Sequence, residues 1–192
     1  MLKLIKINDD IANQSDFFSK LLNEEKQIHS KQIYLSEKKG NPRWAAGSSA
    51  TILKSTNDSI DFIVEKSNME YKYGIKLRCK KLSNTPYFRF DSDGPAHRNS
   101  DESVKLADRQ IPTPHFNTFD SKGREFAYQN TILKQQNEAE AIANNLDFGI
   151  SLFCNEANTF VNNKELPECI DSGILPGFEI NIAFDLNNIK FK

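Results

Sequence analysis

From Lys31 to Phe119 the apolar residues of this chain return at every second position, a period that commits the segment to β-sheet. The run Tyr71 to Cys79 is the clearest case. Tyr71, Tyr73, Ile75, Leu77 and Cys79 fall on one face, and the lysines and Arg78 take the other. Such alternation needs a sheet with one face on the core and one toward water. Shorter runs repeat it: Gln32–Leu35, Ala50–Lys54, Ser59–Glu65, Tyr87–Asp91, His115–Phe119 and Arg124–Tyr128. Turn residues separate them, at 37–42, Asn57-Asp58, Ser67-Asn68 and Asp120-Ser121-Lys122-Gly123. Several short strands joined by turns predict an antiparallel meander.

Helical periodicity flanks this region. Ile11, Phe17 or Phe18, Leu21, Leu22 and Ile28 predict a helix over 9–28, or two short ones with a second start at Ser15. Asn137, with Glu140 three residues on, predicts the cap of a long helix over 137–154, with Ile142, Leu146, Ile150 and Phe153 as its apolar ridge. Residues 155–171 read as loop. Phe178, Ile180, Ile182, Phe184 and Leu186 predict a C-terminal strand, and Ile189–Phe191 a last short one. The expected fold class is therefore α+β: a mainly antiparallel curved sheet of six to eight strands, with an N-terminal helix and one long helix. A length of 192 residues suits a single domain over 1–192. Within it, 1–28 is a helical lead-in, 31–155 the sheet core with its helix, and 156–192 a loop and strand. The 14 Phe and 5 Tyr supply the area for a core.

Composition narrows the functional classes. A net charge of −1 removes any global pull toward nucleic acid or anionic lipid. No run approaches the ~20 apolar residues that span a bilayer, and Met1–Asp9 lacks the apolar core of a signal peptide. Cys79, Cys154 and Cys169 are odd in number and lack zinc-ligand spacing, which predicts reduced thiols in a cytoplasmic protein. No cofactor and no metal is expected.

Two of the three histidines, His97 and His115, lie in one polar stretch, and His29 is isolated. Strand alternation predicts that Arg89 and Asp91 face outward when Phe88 and Phe90 face the core. His115 and Asn117 share a face in the partner strand, and the irregular, polar stretch from Gly94 to Pro112 carries His97 and Arg98. A surface cluster of Arg89, Asp91, His97, Arg98, His115 and Asn117 follows. Three chemistries fit it. In metal-free phosphodiester cleavage, one histidine is general base and the other general acid, with Arg89, Arg98 or Arg124 on the phosphate. In metal binding, His97, His115 and Asp91 or Asp93 are ligands. In the third, the cluster only holds a loop by hydrogen bonds. Asp91-Ser92-Asp93-Gly94 with Glu102 fails as a calcium loop, because the glycine is misplaced and Pro95 takes a ligand position. Trp44, beside Arg43, reads as a core anchor under a loop or as a stacking residue for a base or a partner. The basic run Lys76, Arg78, Lys80 and Lys81 reads as the solvated face of a strand.

Arg89-Phe90-Asp91, Gly94, His97-Arg98-Asn99, Pro114-His115-Phe116-Asn117 and Glu125-Phe126-Ala127-Tyr128 together resemble a family of uncharacterised bacterial and prophage proteins, a domain of unknown function. That family shares an Arg-hydrophobic-Asp strand, a His-x-Asn turn and a Pro-His-hydrophobic-His strand followed by Trp-Ala. Here Asn117 replaces the second histidine and Phe126 the tryptophan. The resemblance spans roughly 50–155 and implies a shared feature but no reaction. Two functions are carried forward. One is a non-catalytic interaction protein with a protein partner, such as a phage-encoded inhibitor of a host system. The other is an RNA- or nucleotide-directed hydrolase, a ribonuclease-like toxin, working through His97 and His115.

Overall fold

A computed structural model describes residues 7–100 and 104–172. The fold is α+β. Two short helices, α1 (Asp9–Asn13) and α2 (Ser15–Asn23), open the described chain. The Asn8 side chain caps α1 by accepting from the Ile11 amide. Gln14 precedes α2 without a side-chain cap, so Ser15 is the first residue of that helix rather than its cap. The strands β1 (Lys26–Ile28), β2 (Gln32–Lys38), β3 (Asn41–Leu53), β4 (Ser59–Ser67), β5 (Tyr73–Arg78) and β6 (Phe88–Asp91) follow.

The stretch after β6 is not irregular throughout. It contains a two-stranded ribbon, β7 (His97–Arg98) paired with β8 (Gln110–Ile111), and a 3-10 turn over Leu106–Arg109. The hairpin β9 (His115–Phe119) and β10 (Glu125–Tyr128) comes next. Helical structure then runs as α3 (Gln136–Ala143) and α4 (Leu146–Glu156), divided at Asn144-Asn145. The break has a local cause: the Asn145 side chain accepts from the amides of Asp147 and Phe148 and starts α4 afresh. Asn137 lies inside α3 and caps nothing; Gln135 takes the cap position. Two strands that periodicity misses, β11 (Thr159–Phe160) and β12 (Glu168–Asp171), complete the described chain. The strands expected over 178–186 and 189–191 lie outside the described residues.

Ten strands form one sheet in the order β10-β9-β6-β5-β4-β3-β1-β11, with β2 pairing β3 and β12 pairing β2. All neighbours are antiparallel except the two outermost additions, β11 on β1 and β12 on β2. The long strand β3 organises this. One edge runs along β4 from Trp44 to Ile52. The other serves β1 at Thr51–Leu53 and β2 at its opposite end. Gly47 lies where β2 crosses close: a Cβ there would stand 2.5 Å from the Tyr34 carbonyl oxygen and 2.9 Å from Ile33 and Leu35 side-chain carbons. Only a missing side chain lets the two backbones approach so nearly.

The sheet curls round α4. Phe153 on that helix meets Phe62 of β4 at 5.8 Å between ring centroids and Phe88 of β6 at 5.3 Å. From Phe88 the stack continues to Phe116, which also touches Phe90 and Tyr128. Tyr73 donates its hydroxyl to the carbonyls of Ile142 and Asn145, fixing the break between α3 and α4 against β5. The apolar face read from β5 holds for Tyr73, Ile75, Leu77 and Cys79, all buried. Tyr71 departs from it: it precedes the strand and is 83% exposed. Cys79 and Cys154 are buried, Cys169 partly so, and all three are free thiols. Among the described residues no helix is long and apolar enough to cross a membrane.

One charge lies in this interior. Lys26 is fully buried, and its ammonium donates to the carbonyls of Leu21 (2.8 Å) and Glu24 (2.6 Å) at the end of α2. Burial pushes its pKa down to about 8. A folded-state pKa below the unfolded one means that the unfolded chain holds the extra proton between the two values, so folding gains stability as pH rises through that window. Wild-type stability from this group is therefore expected to increase from pH about 8 toward the unfolded value near 10.5. Denaturation of Lys26→Met at matched pH values should lack that component. Gly47→Val should cost about 2 kcal/mol through overpacking against β2, read as a lower urea midpoint at unchanged slope.

Candidate functional site

Strand β6 reads Phe88-Arg89-Phe90-Asp91, and the burial of both phenylalanines turns Arg89 and Asp91 to the opposite face. Strand β9 lies antiparallel beside it, with Arg89 opposite Asn117 and Asp91 opposite His115. The four polar side chains therefore share one patch, as alternation predicts. One oxygen of Asp91, Oδ2, collects the contacts: it accepts from Arg89 Nε at 2.9 Å and from Asn117 Nδ2 at 2.8 Å, and His115 Nε2 stands 3.9 Å away. Arg89 also reaches Glu125 of β10 at 3.5 Å through Nη2.

The patch is not a surface. Every residue of β9 is buried, His115 to 3% and Asn117 to 2% exposure. The β7–β8 ribbon covers that face and brings His97 to His115, with ring centroids 6.2 Å apart and planes nearly perpendicular. His115 Nδ1 lies 3.2 Å from the Pro112 carbonyl oxygen. A carbonyl only accepts, so Nδ1 carries the proton there and Nε2 of the neutral ring is left as the acceptor. The Asn117 carboxamide oxygen is buried with no hydrogen-bond partner.

Asn99, one residue past the ribbon strand, anchors it to the sheet. Its side chain accepts from the Ala127 amide at 2.7 Å and donates to the Ala127 carbonyl at 2.8 Å. That reciprocal pair imitates a neighbouring strand and closes the outer edge of β10 at this residue. Gln129 adds bonds to the carbonyls of Pro112 and Pro114.

Burial lowers the pKa of His97, against the opposing attraction of Glu125. Burial also lowers that of His115, against the bond to Pro112 and the charge of Asp91. Both rings are thus biased toward the neutral form. The charged residues around them cancel further along the same face. Glu65 accepts from Lys38 and Lys76, each at 2.7 Å, and Arg78 pairs with Asp61 at 2.8 Å. Burial raises the Glu65 carboxyl, yet the two lysines outweigh it and hold it below its ordinary value. Of the basic run, Lys81 pairs with Asp58 and lies over the Phe17 ring.

Five predicted residues thus converge: Arg89, Asp91, His97, His115 and Asn117. Arg98 is exposed on the ribbon, away from the buried patch. Arg124 is bound at 2.6 Å to Asp120 within its own hairpin turn. Trp44 sits partly buried inside β3 opposite Ser67, with β4 and β5 between its strand and β6, so it does not join the cluster. Glu125 and Asn99 complete the cluster; in the sequence both belong to the strings that carry the family resemblance, Asn99 in the His-x-Asn turn, and neither stands among the candidate site residues. Glu125 was within reach, since it opens the alternating run Glu125–Tyr128 beside β9. Asn99 carried no periodic signal.

A cavity of about 260 Å³ adjoins the cluster, lined in part by Asn99, Asp108, Arg124, Glu125 and Phe126. A larger one, about 510 Å³, lies between the β4–β5 connection and the α3–α4 break. Neither is lined by His97 or His115. Among the described residues no three His, Cys, Asp or Glu side chains are placed to hold a metal ion together.

Comparison with known proteins finds no match among curated proteins and none among solved structures. A family model does match, over residues 13–158, from α1 to the end of α4 and so across the whole cluster. On that match, the chain belongs to the family of unknown function DUF6978.

Proposed function

We propose that this chain is a non-catalytic interaction protein of the bacterial or phage cytoplasm, a single domain that presents the β7–β8 ribbon and its surroundings to a protein partner. One observation carries the reading: His115 is 97% enclosed and held by a backbone carbonyl, while Asp91 is already occupied by Arg89 and Asn117. A general base must reach the proton that it abstracts. A buried ring tied to Pro112 and a doubly bonded carboxylate do the work of a scaffold instead. The balanced charge of the outer face supports the same view, because a groove for an RNA backbone needs uncompensated cations.

The ribbon gives such a scaffold something to display. Arg98, Val104 and Leu106 are exposed on or beside it, and Leu106 keeps 59% of its surface open. Arginine and aliphatic side chains on a backbone anchored from below suit recognition of another protein.

The second reading, a hydrolase, has one observation in its favour: the two imidazoles stand 6.2 Å apart, a separation that a phosphodiester could bridge. Incubation of the purified chain with single-stranded RNA and with a chromogenic phosphodiester decides between them. The expected result is no cleavage above that of the His97→Ala variant. Cleavage by the wild type that His97→Ala abolishes, with circular dichroism unchanged, would overturn the binding-module reading. The scaffold role predicts its own effect. Asp91→Ala leaves Arg89 and Asn117 without their shared acceptor and should lower stability by about 2 kcal/mol, measured by urea denaturation.

A further inference from the structure

We infer that the β7–β8 ribbon is a proton-sensitive cover, closed over the sheet while the imidazoles of His97 and His115 are neutral and released when both take a proton. The inference goes beyond the binding-module reading and needs only the geometry of the cluster.

The two rings form the seam between ribbon and sheet. His97 belongs to β7 and His115 to β9, and their centroids are 6.2 Å apart beneath the ribbon. The second link is the bond between His115 Nδ1 and the Pro112 carbonyl at 3.2 Å, just past β8. The third is the Asn99 pair with Ala127. Cover and sheet thus meet through one ring pair, a few hydrogen bonds and the partly buried Ile111 of β8, which stands opposite His97.

The charged groups facing the rings are Arg89 and Asp91 from β6 and Glu125 from β10, along with each ring facing the other. With both rings neutral, these groups amount, among the described residues, to one cation and two anions. A first proton meets a surplus of negative charge, and Asp91, 3.9 Å from His115 Nε2, is placed to pair with the imidazolium. A second proton puts three cations against two anions, with the His115 ring closed to water and Arg89, Asp91 and Glu125 partly exposed. Asp91 already shares its Oδ2 between Arg89 and Asn117. The two rings then repel across the seam, and the cheapest relief is to swing the one on the short, half-exposed ribbon into solvent. Strand β9, held between β6 and β10, stays in place.

What opening would bare is specific. The unpartnered Asn117 oxygen is buried on this face, and the backbone of Ala127 is held by the Asn99 anchor. A partner that docks on this face would bind the protonated form more strongly and, by linkage, raise the proton affinity of the pair.

Hydrogen exchange on the full chain, corrected for the intrinsic pH dependence of the rates, tests this. The amide of Asn99 bonds to the Arg109 carbonyl and that of Ala127 to the Asn99 side chain. The Ala127 amide, whose bond crosses from sheet to ribbon, should lose protection about tenfold or more between pH about 7 and pH about 5, while the Asn99 amide, bonded within the ribbon, and those of β4 and β5 keep theirs. In His97→Gln, which removes the ring from the exposed side of the seam, the loss should shrink to about twofold or less. Protection that does not change with pH would overturn the inference. So would a loss shared equally by β4 and β5, or one that persists undiminished in His97→Gln. Each of these outcomes is independent of whether the chain cleaves RNA.

Discussion

The structure turns on the pairing of β6 with β9. Phe88 and Phe90 on one strand and Phe116 on the other close the aromatic stack that Phe153 enters from α4. The β6–β9 register runs unbroken from Arg89 to Asp91 and side chains alternate along it, so burying those rings sends Arg89, Asp91, His115 and Asn117 to the far side together. Core and polar cluster are thus two faces of one register. A slip of a single residue would put a carboxylate among the phenylalanines, and burial of an unpaired charge there is prohibitive. The cluster is as firmly positioned as the core itself.

That coupling explains why much of the site was legible in the sequence. Period-two patterning marks faces, and Arg89, Asp91, His115 and Asn117 were assigned to a common one from their spacing alone. Exposure was misjudged because alternation says which side a residue takes, not what lies above it. His115 and Asn117 are covered by the β7–β8 ribbon, whose strands have two residues each, too short for any periodic signal. The same limit hid β11 and β12, whose pairing with β1 and β2 depends on partners far away in sequence. The helix after residue 136 shows the converse: Ile142, Leu146, Ile150 and Phe153 mark the apolar ridge, while the Asn145 cap that divides it competes with the helical pattern and is invisible to it. Trp44 reads as an anchor under a loop or as a stacking residue because it follows the turn residues 37–42. In the fold Pro42 lies at the start of β3, and Gly47 accommodates a crossing strand.

The outer face shows how a chain with many lysines and arginines presents little net charge. Glu65 answers Lys38 and Lys76, Asp61 answers Arg78, and Asp91 with Glu125 answers Arg89. Partly exposed pairs of this kind add little stability. Their effect lies in the field they cancel, which leaves shape and hydrogen bonding, more than long-range attraction, to select what binds.

The parallel pairing of β11 with β1 and of β12 with β2 has a kinetic consequence. Each joins a strand near the beginning of the chain to one that emerges only after the hairpins and helices between them. During synthesis, β1 and β2 must therefore wait with one edge open while the middle of the sheet assembles. For that interval these edges rely on a nascent chain staying dilute or chaperoned, and two strands that leave the ribosome much later are the ones that seal them.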